Sequence, residues 1–188
     1  MAELTRETRE TTVDVSLRLG VDAAANRTDP ATIRTGDAFF DHMLATLAFY
    51  AAWELRVTAS GDLRHHIVED VAIAIGLALR EGLPETCQRY GDAVVVMDDA
   101  LAQAAVDVGG RSYYAGRLPS RLYEHFFRSL AENARIALHV RVLRGRDRHH
   151  IVEAAVKATG LALRRAVCQT SALFSTKGAV RIERGSES

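Results

Sequence analysis

The sequence predicts an α+β fold of two similar halves, each running strand, strand, helix, strand, helix, with the helices packed on antiparallel-rich sheets. Three observations carry this expectation. The stretch RHHIVE occurs twice, at Arg64 to Glu69 and Arg148 to Glu153, with a spacing of 84 residues. The copies extend over residues 64–83 and 148–167, which agree at twelve of twenty aligned positions, GLALR included. Upstream of each copy, apolar and polar residues alternate with the period of a strand that has one covered face. Finally, 188 residues at 48% hydrophobic content are enough to bury a core. Residues 1–92 make the first half and 93–188 the second.

In the first half, residues 11–19 (TTVDVSLRL) set Val13, Val15, Leu17 and Leu19 on one face of a strand. Residues 23–36 (AAANRTDPATIRTG) read as a loop feeding a second strand. Residues 39–50 (FFDHMLATLAFY) form a helix, and residues 53–60 alternate Trp53, Leu55, Val57 and Ala59 in the next strand. Residues 64–83 carry apolar positions three and four apart, the pattern of a core-packed helix. The second half repeats the order. Strands fall at 101–108 and 111–117, a helix at 123–134, and a strand at 135–145 with Ile136, Leu138, Val140 and Val142 on one face; the repeat helix at 148–167 follows. Alternation this regular belongs to sheets with one solvated side, which places helices on the other. The terminal GSES is expected to fray.

Charge narrows the function. Lysine and arginine balance aspartate and glutamate at 24 each, so no broad basic face invites nucleic acid or an anionic membrane, and anion recognition must be local. Every apolar run is broken by charge short of a membrane span, and MAELTRETRE lacks an apolar signal region. Cys87 and Cys168 have no CxxC spacing and read as thiols in a reducing compartment. A cytoplasmic protein is expected.

The chemistry concentrates on histidine. On a helix, residues four apart share a face, so His65 stands over Glu69 and His149 over Glu153, while His66 and His150 project to one side. A single HHxxE could be a capping or surface pair; its duplication points to metal. His42, at the start of the 39–50 helix, and His139, ten residues before His149, fall near these motifs. Grouped by half, the candidates are His42, His65, His66 and Glu69, then His139, His149, His150 and Glu153. Imidazole with carboxylate and no thiolate suits Mn, Fe, Co, Ni or Zn. His125 reads as a solvated residue on an amphipathic helix. Asp70 is matched by Ala154 in the other copy, so it lies outside what both copies retain, and a charge favouring the positive helix start accounts for it.

FFDHML, GDLRHHIVED, RYG, VMDDAL, VDVGGRSYY, LHV, RHHIVEAAVKA and STKG occur in the order and approximate spacing of imidazoleglycerol-phosphate dehydratase, and the chain resembles that family over about residues 8–180. The resemblance implies a manganese enzyme of histidine biosynthesis with two ions per chain. It would act on a small phosphorylated imidazole, imidazoleglycerol phosphate, and yield imidazoleacetol phosphate. It also implies a homo-oligomeric shell, a 24-mer with active sites between subunits. By position, Glu10 matches the proton shuttle, and Arg89, Arg111, Ser175 and Lys177 match the phosphate-binding residues. The chain departs from the family in three places. GDLRHHIVED is shorter before the histidine pair and has Ile67 at a threonine position; VMDDA replaces PMDEA; and AAANRTDPA replaces a short DGxG turn. Beside dehydration of imidazoleglycerol phosphate stand two alternatives, a related dimetal enzyme for another small phosphate and a non-catalytic metal-dependent assembly protein.

Overall fold

A computed structural model describes residues 1–20 and 30–171. The first half contributes β1 (Ala2–Glu7), β2 (Thr11–Arg18), β3 (Ile33–Arg34), α1 (Ala38–Ala51), β4 (Glu54–Gly61) and α2 (Arg64–Gly82). The second contributes β5 (Tyr90–Met97), β6 (Ala100–Asp107), β7 (Tyr113–Gly116), α3 (Arg121–Ala134), β8 (Ala137–Arg144) and α4 (Arg148–Ala166). The sheets share one topology, β1-β2-β4-β3 and β5-β6-β8-β7, antiparallel except for the short strands β3 and β7, which run parallel to β4 and β8.

Register explains the alternation. Val13 pairs with Ala59, Val15 with Val57 and Leu17 with Leu55, and all six side chains are buried on one face. In the second sheet Ala104 pairs with Val140 and Val106 with Leu138, again buried. Each half has one strand more than the sequence pattern predicts. β1 hides because its outward face is charged and its inward face includes Arg6, so no apolar stripe marks it. β5 hides for the opposite reason: Val94 and Val96 are exposed, while Gly91 and Ala93 face inward, because α4 runs so close that a Cβ at residue 91 would overlap the Ala162 carbonyl. The expected 23–36 loop lies partly outside the described residues; within them, a 3-10 turn at Pro30–Thr32 leads into β3.

The helices lie between the sheets and cross from one half to the other. α2 covers β1 and β2 and packs on α3; α4 covers β5 and β6 and packs on α1. The glycine of each GLALR sits at such a crossing. A Cβ on Gly76 would come within 2.8 Å of the Leu130 carbonyl oxygen, and one on Gly160 within 3.0 Å of the Leu47 carbonyl oxygen. The repeat therefore preserves the two contacts that let the halves close on each other. Cys87 and Cys168 are free thiols, and no described helix is long and apolar enough to cross a membrane.

Candidate active site

α1 begins at Asp37, whose Oδ1 accepts from the backbone N–H groups of Phe39 and Phe40 at 3.0 and 3.1 Å. His42 follows in the next turn, and the α1–α4 crossing carries it to the other half's motif. His42 Nε2 lies 3.8 Å and His149 Nε2 3.0 Å from Glu153 Oε2. Glu153 is buried, with Lys157 Nζ 2.9 Å from its Oε1. Burial pushes this carboxyl upward, but the Lys157 hydrogen bond and charge, with the two imidazoles, outweigh it and hold the group below the ordinary glutamate value.

A second group forms where α3 crosses α2. His65 Nε2 is 3.7 Å and His125 Nε2 3.2 Å from Glu69 Oε2, and the two imidazoles stack with centroids 4.8 Å apart. His125 Nε2 is buried without a hydrogen bond. In each group the three donor atoms lie within 4.8 Å of one another. Two imidazoles and a carboxylate converging on one point, one imidazole nitrogen buried and unsatisfied, form a donor set that fits a divalent transition metal with coordination positions left over.

These groups redistribute the residues expected from sequence. His42 joins the second half's motif rather than its own. His125, read as solvated, takes the corresponding place beside the first. His139 joins neither group: it points to the outer face of the second sheet, beside Tyr113, in an open depression of ≈ 680 Å³ lined also by Gln103, Arg117 and Arg141. The reason is the strand period. Leu138 and Val140 face the core, so His139 must face away from the helices that bear the other histidines. A signal for His125 was present, since it is the fifth residue of the 14-residue helix α3, as His42 is of the 14-residue helix α1.

The second histidine of each pair turns elsewhere. His66 Nδ1 meets Asp62 Oδ1 at 2.8 Å, and His150 Nδ1 meets Asp99 Oδ1 at 2.7 Å. Each bond raises the histidine above its ordinary value, against a smaller opposing effect of burial. Asp99 is lowered to about 2 by His150 first and then by the Arg146 N–H that its other oxygen accepts. A carboxylate on Nδ1 fixes each ring and directs its Nε2 elsewhere, and His150 Nε2 lies 3.3 Å from Asp98 Oδ2. Glu10, in the β1–β2 turn, is exposed, with Oε2 3.6 Å from His66 Nδ1. The shortened GDLRHH segment thus still supplies an orienting carboxylate, through Asp62.

Arg89 lies at the far end of α4, where its N–H donates to the Ala166 carbonyl. Its guanidinium is forked on Asp107, Nε to Oδ1 at 2.8 Å and Nη2 to Oδ2 at 3.1 Å, and this bond raises its already high pKa. Arg111 is exposed after β6. Ser175 and Lys177 lie outside the described residues. From His149 to Ala166 α4 rises roughly 25 Å at 1.5 Å per residue. Within one chain, Arg89 is therefore a helix length from the candidate metal group on α4.

Residues 35–163 match the family model described as imidazoleglycerol-phosphate dehydratase. Relatives of that name include one from Wolinella succinogenes, 42% identical with 95% of this chain and 99% of the relative covered, and one from Corynebacterium urealyticum, 44% identical with 93% and 94% covered. The crystal structure of the Pyrococcus furiosus protein in complex with (S)-C348 is similar with a TM-score of 0.81 at 38% identity, covering 94% of this chain and all of that one. The Staphylococcus aureus structure gives 0.74 at 31%, covering 90% and 99%.

Proposed function

The chain belongs to the imidazoleglycerol-phosphate dehydratase family and dehydrates imidazoleglycerol phosphate in histidine biosynthesis, and we propose that it does so at two metal sites completed between subunits. His42, His149 and Glu153 would hold one ion, and His65, Glu69 and His125 the other. The observation that carries this reading is the pair of imidazoles left outside the three-donor groups. His66 and His150 are each braced at Nδ1 yet join neither three-donor group of their own chain. In this reading each supplies a fourth donor to a neighbouring subunit, His150 by exchanging its Asp98 contact for the metal.

The substrate's own dimensions favour the same arrangement. A small phosphorylated imidazole cannot span the roughly 25 Å from the histidines to Arg89 along α4, so ring and phosphate are held by different copies of the chain. Arg89, Arg111, Ser175 and Lys177 are the phosphate ligands in this reading, Arg89 presented as a planar fork with Asp107 fixing its plane. Manganese is the expected ion, two per chain, in a homo-oligomer for which the 24-mer shell is the proposed state.

Removing water beside an imidazole requires loss of a carbon-bound proton that no carbonyl acidifies. A bound divalent metal supplies charge stabilisation to the substrate ring as electron density moves into it. The chain's residues do the rest. Glu10, exposed at the turn and 3.6 Å from His66, carries the proton. Asp62 and Asp99 keep His66 and His150 in one orientation. Incubating manganese-loaded protein with imidazoleglycerol phosphate and following imidazoleacetol phosphate tests the reading: turnover that is lost on chelation and restored by manganese supports it, and turnover indifferent to chelation contradicts the metal sites.

A further inference from the structure

The first half contains a polar cluster, buried at Thr11 and Asp70, that the second half lacks. Asp70 Oδ1 accepts from Arg6 Nη2 at 2.9 Å, and Asp70 Oδ2 accepts from Thr11 Oγ1. The Thr11 hydroxyl also meets Thr8 Oγ1 at 3.1 Å. Thr8 Oγ1 in turn accepts the backbone N–H groups of Glu10 and Thr11 at 3.1 and 3.0 Å. Asp70, read from sequence as a charge favouring the helix start, is 8% exposed and bonds instead to side chains of β1 and β2.

The registers of the two sheets give each member its counterpart. Arg6 pairs with Val13 as Val95 pairs with Ala102, and six residues lie between the partners in each hairpin. Thr8, Glu10 and Thr11 thus correspond to Met97, Asp99 and Ala100, and Asp70 corresponds to Ala154. Four polar residues in one half stand where the other has Val95, Met97, Ala100 and Ala154. Ala100 and Ala154 are buried at 2% and 0% exposure, so the fold accepts apolar residues at the Thr11 and Asp70 positions, although Lys157 Nζ meets the Met97 sulfur at 3.2 Å nearby. Burying a carboxylate costs free energy that an alanine does not, even with a partly exposed guanidinium beside it. The cluster therefore serves something that only the first half has.

That difference lies in the turn's carboxylate. Asp99 is held by its side chain, one oxygen on His150 and the other on the Arg146 and Asp147 N–H groups. Glu10 is held by its backbone: its N–H by Thr8, and its carbonyl by the Asp62 N–H at 3.1 Å. Gly61 permits this approach, since a Cβ there would lie 2.8 Å from the Glu10 carbonyl oxygen. We infer that Asp70 is a positioning residue for Glu10, acting through Thr11 and Thr8 to fix the turn's backbone so that the Glu10 carboxylate stays placed without being tied. The inference rests on the reading of Glu10 as the proton carrier.

Asp70→Ala combined with Thr11→Ala installs in the first half the pair the second half already carries. In the manganese-loaded full chain, metal content and melting temperature should be largely retained and KM should change little. kcat should fall about 10- to 100-fold, the scale of a small misplacement of a reacting group, and amide exchange across residues 8–11 should quicken. Asp70→Asn, which keeps an acceptor, should recover much of the rate. In a Glu10→Gln background the pair should cost little more, because the group it places is already gone. Should the double variant not fold, Thr11→Val cuts the link with a near-isosteric side chain and should show the same kcat loss. An unchanged kcat in folded, metal-loaded protein overturns the inference, as does an equal further loss in the Glu10→Gln background. Full turnover by Glu10→Gln alone would instead remove the reading of Glu10, and the inference with it.

Discussion

Glu10 and Asp99 occupy equivalent turns and reach equivalent histidines, yet only Glu10 keeps both carboxylate oxygens clear of backbone donors among the described residues. A carboxylate free of backbone donors is available to take and release a proton. Glu10→Gln preserves shape and removes the titratable oxygen; turnover should drop by about 10²-fold or more while manganese content and substrate affinity hold, as measured by steady-state kinetics beside metal analysis. Nothing in TRETRETT singles out this glutamate by composition, which is why only resemblance identified it. The histidines were legible to different degrees. The HHxxE pairs declare themselves by repetition. His125 is concealed because a histidine facing another helix and one facing solvent have the same periodicity, and only aligning α3 with α1 separates them.

At the scale of elements, alternation located β2, β4, β6 and β8 because each buries one face. It was silent on β1 and β5, where charge outside or small residues inside erase the stripe. The helices were legible as core-packed, but their partners were not. An α2 that buries residues on two sides reads the same whether its second neighbour is α1 or α3; the answer lies in Gly76 and Gly160, which mark the crossings. At Gly160, an alanine Cβ would fall 2.8 Å from the Tyr50 Cβ and 3.0 Å from the Leu47 carbonyl oxygen. Gly160→Ala should force α4 from α1 at a cost of about 1–3 kcal/mol, read as a lower melting temperature. Because His42 reaches Glu153 only across that crossing, metal affinity should fall with it.

For the whole molecule, the duplication announced two halves but not that each candidate metal group draws on both. Grouping ligands by half follows from treating each repeat as a closed unit; the crossed packing of α1 on α4 and α2 on α3 overrides it. As proposed for His66 and His150, the same logic extends beyond one chain. If metal joins donors from different subunits, its binding free energy is also association free energy. Chelation at neutral pH should shift the protein to smaller oligomers and readdition of manganese should rebuild the larger one, followed by light scattering; unchanged mass after verified metal loss would separate assembly from metal.

The central claim is that helices from opposite halves build both metal sites, with His125 a ligand and His139 not. Manganese stoichiometry in folded His125→Ala and His139→Ala variants tests it most directly. About two ions per chain in the parent and in His139→Ala, against about one in His125→Ala, is the predicted result for sites of this donor number. Two ions retained in His125→Ala, with loss in His139→Ala, would contradict it.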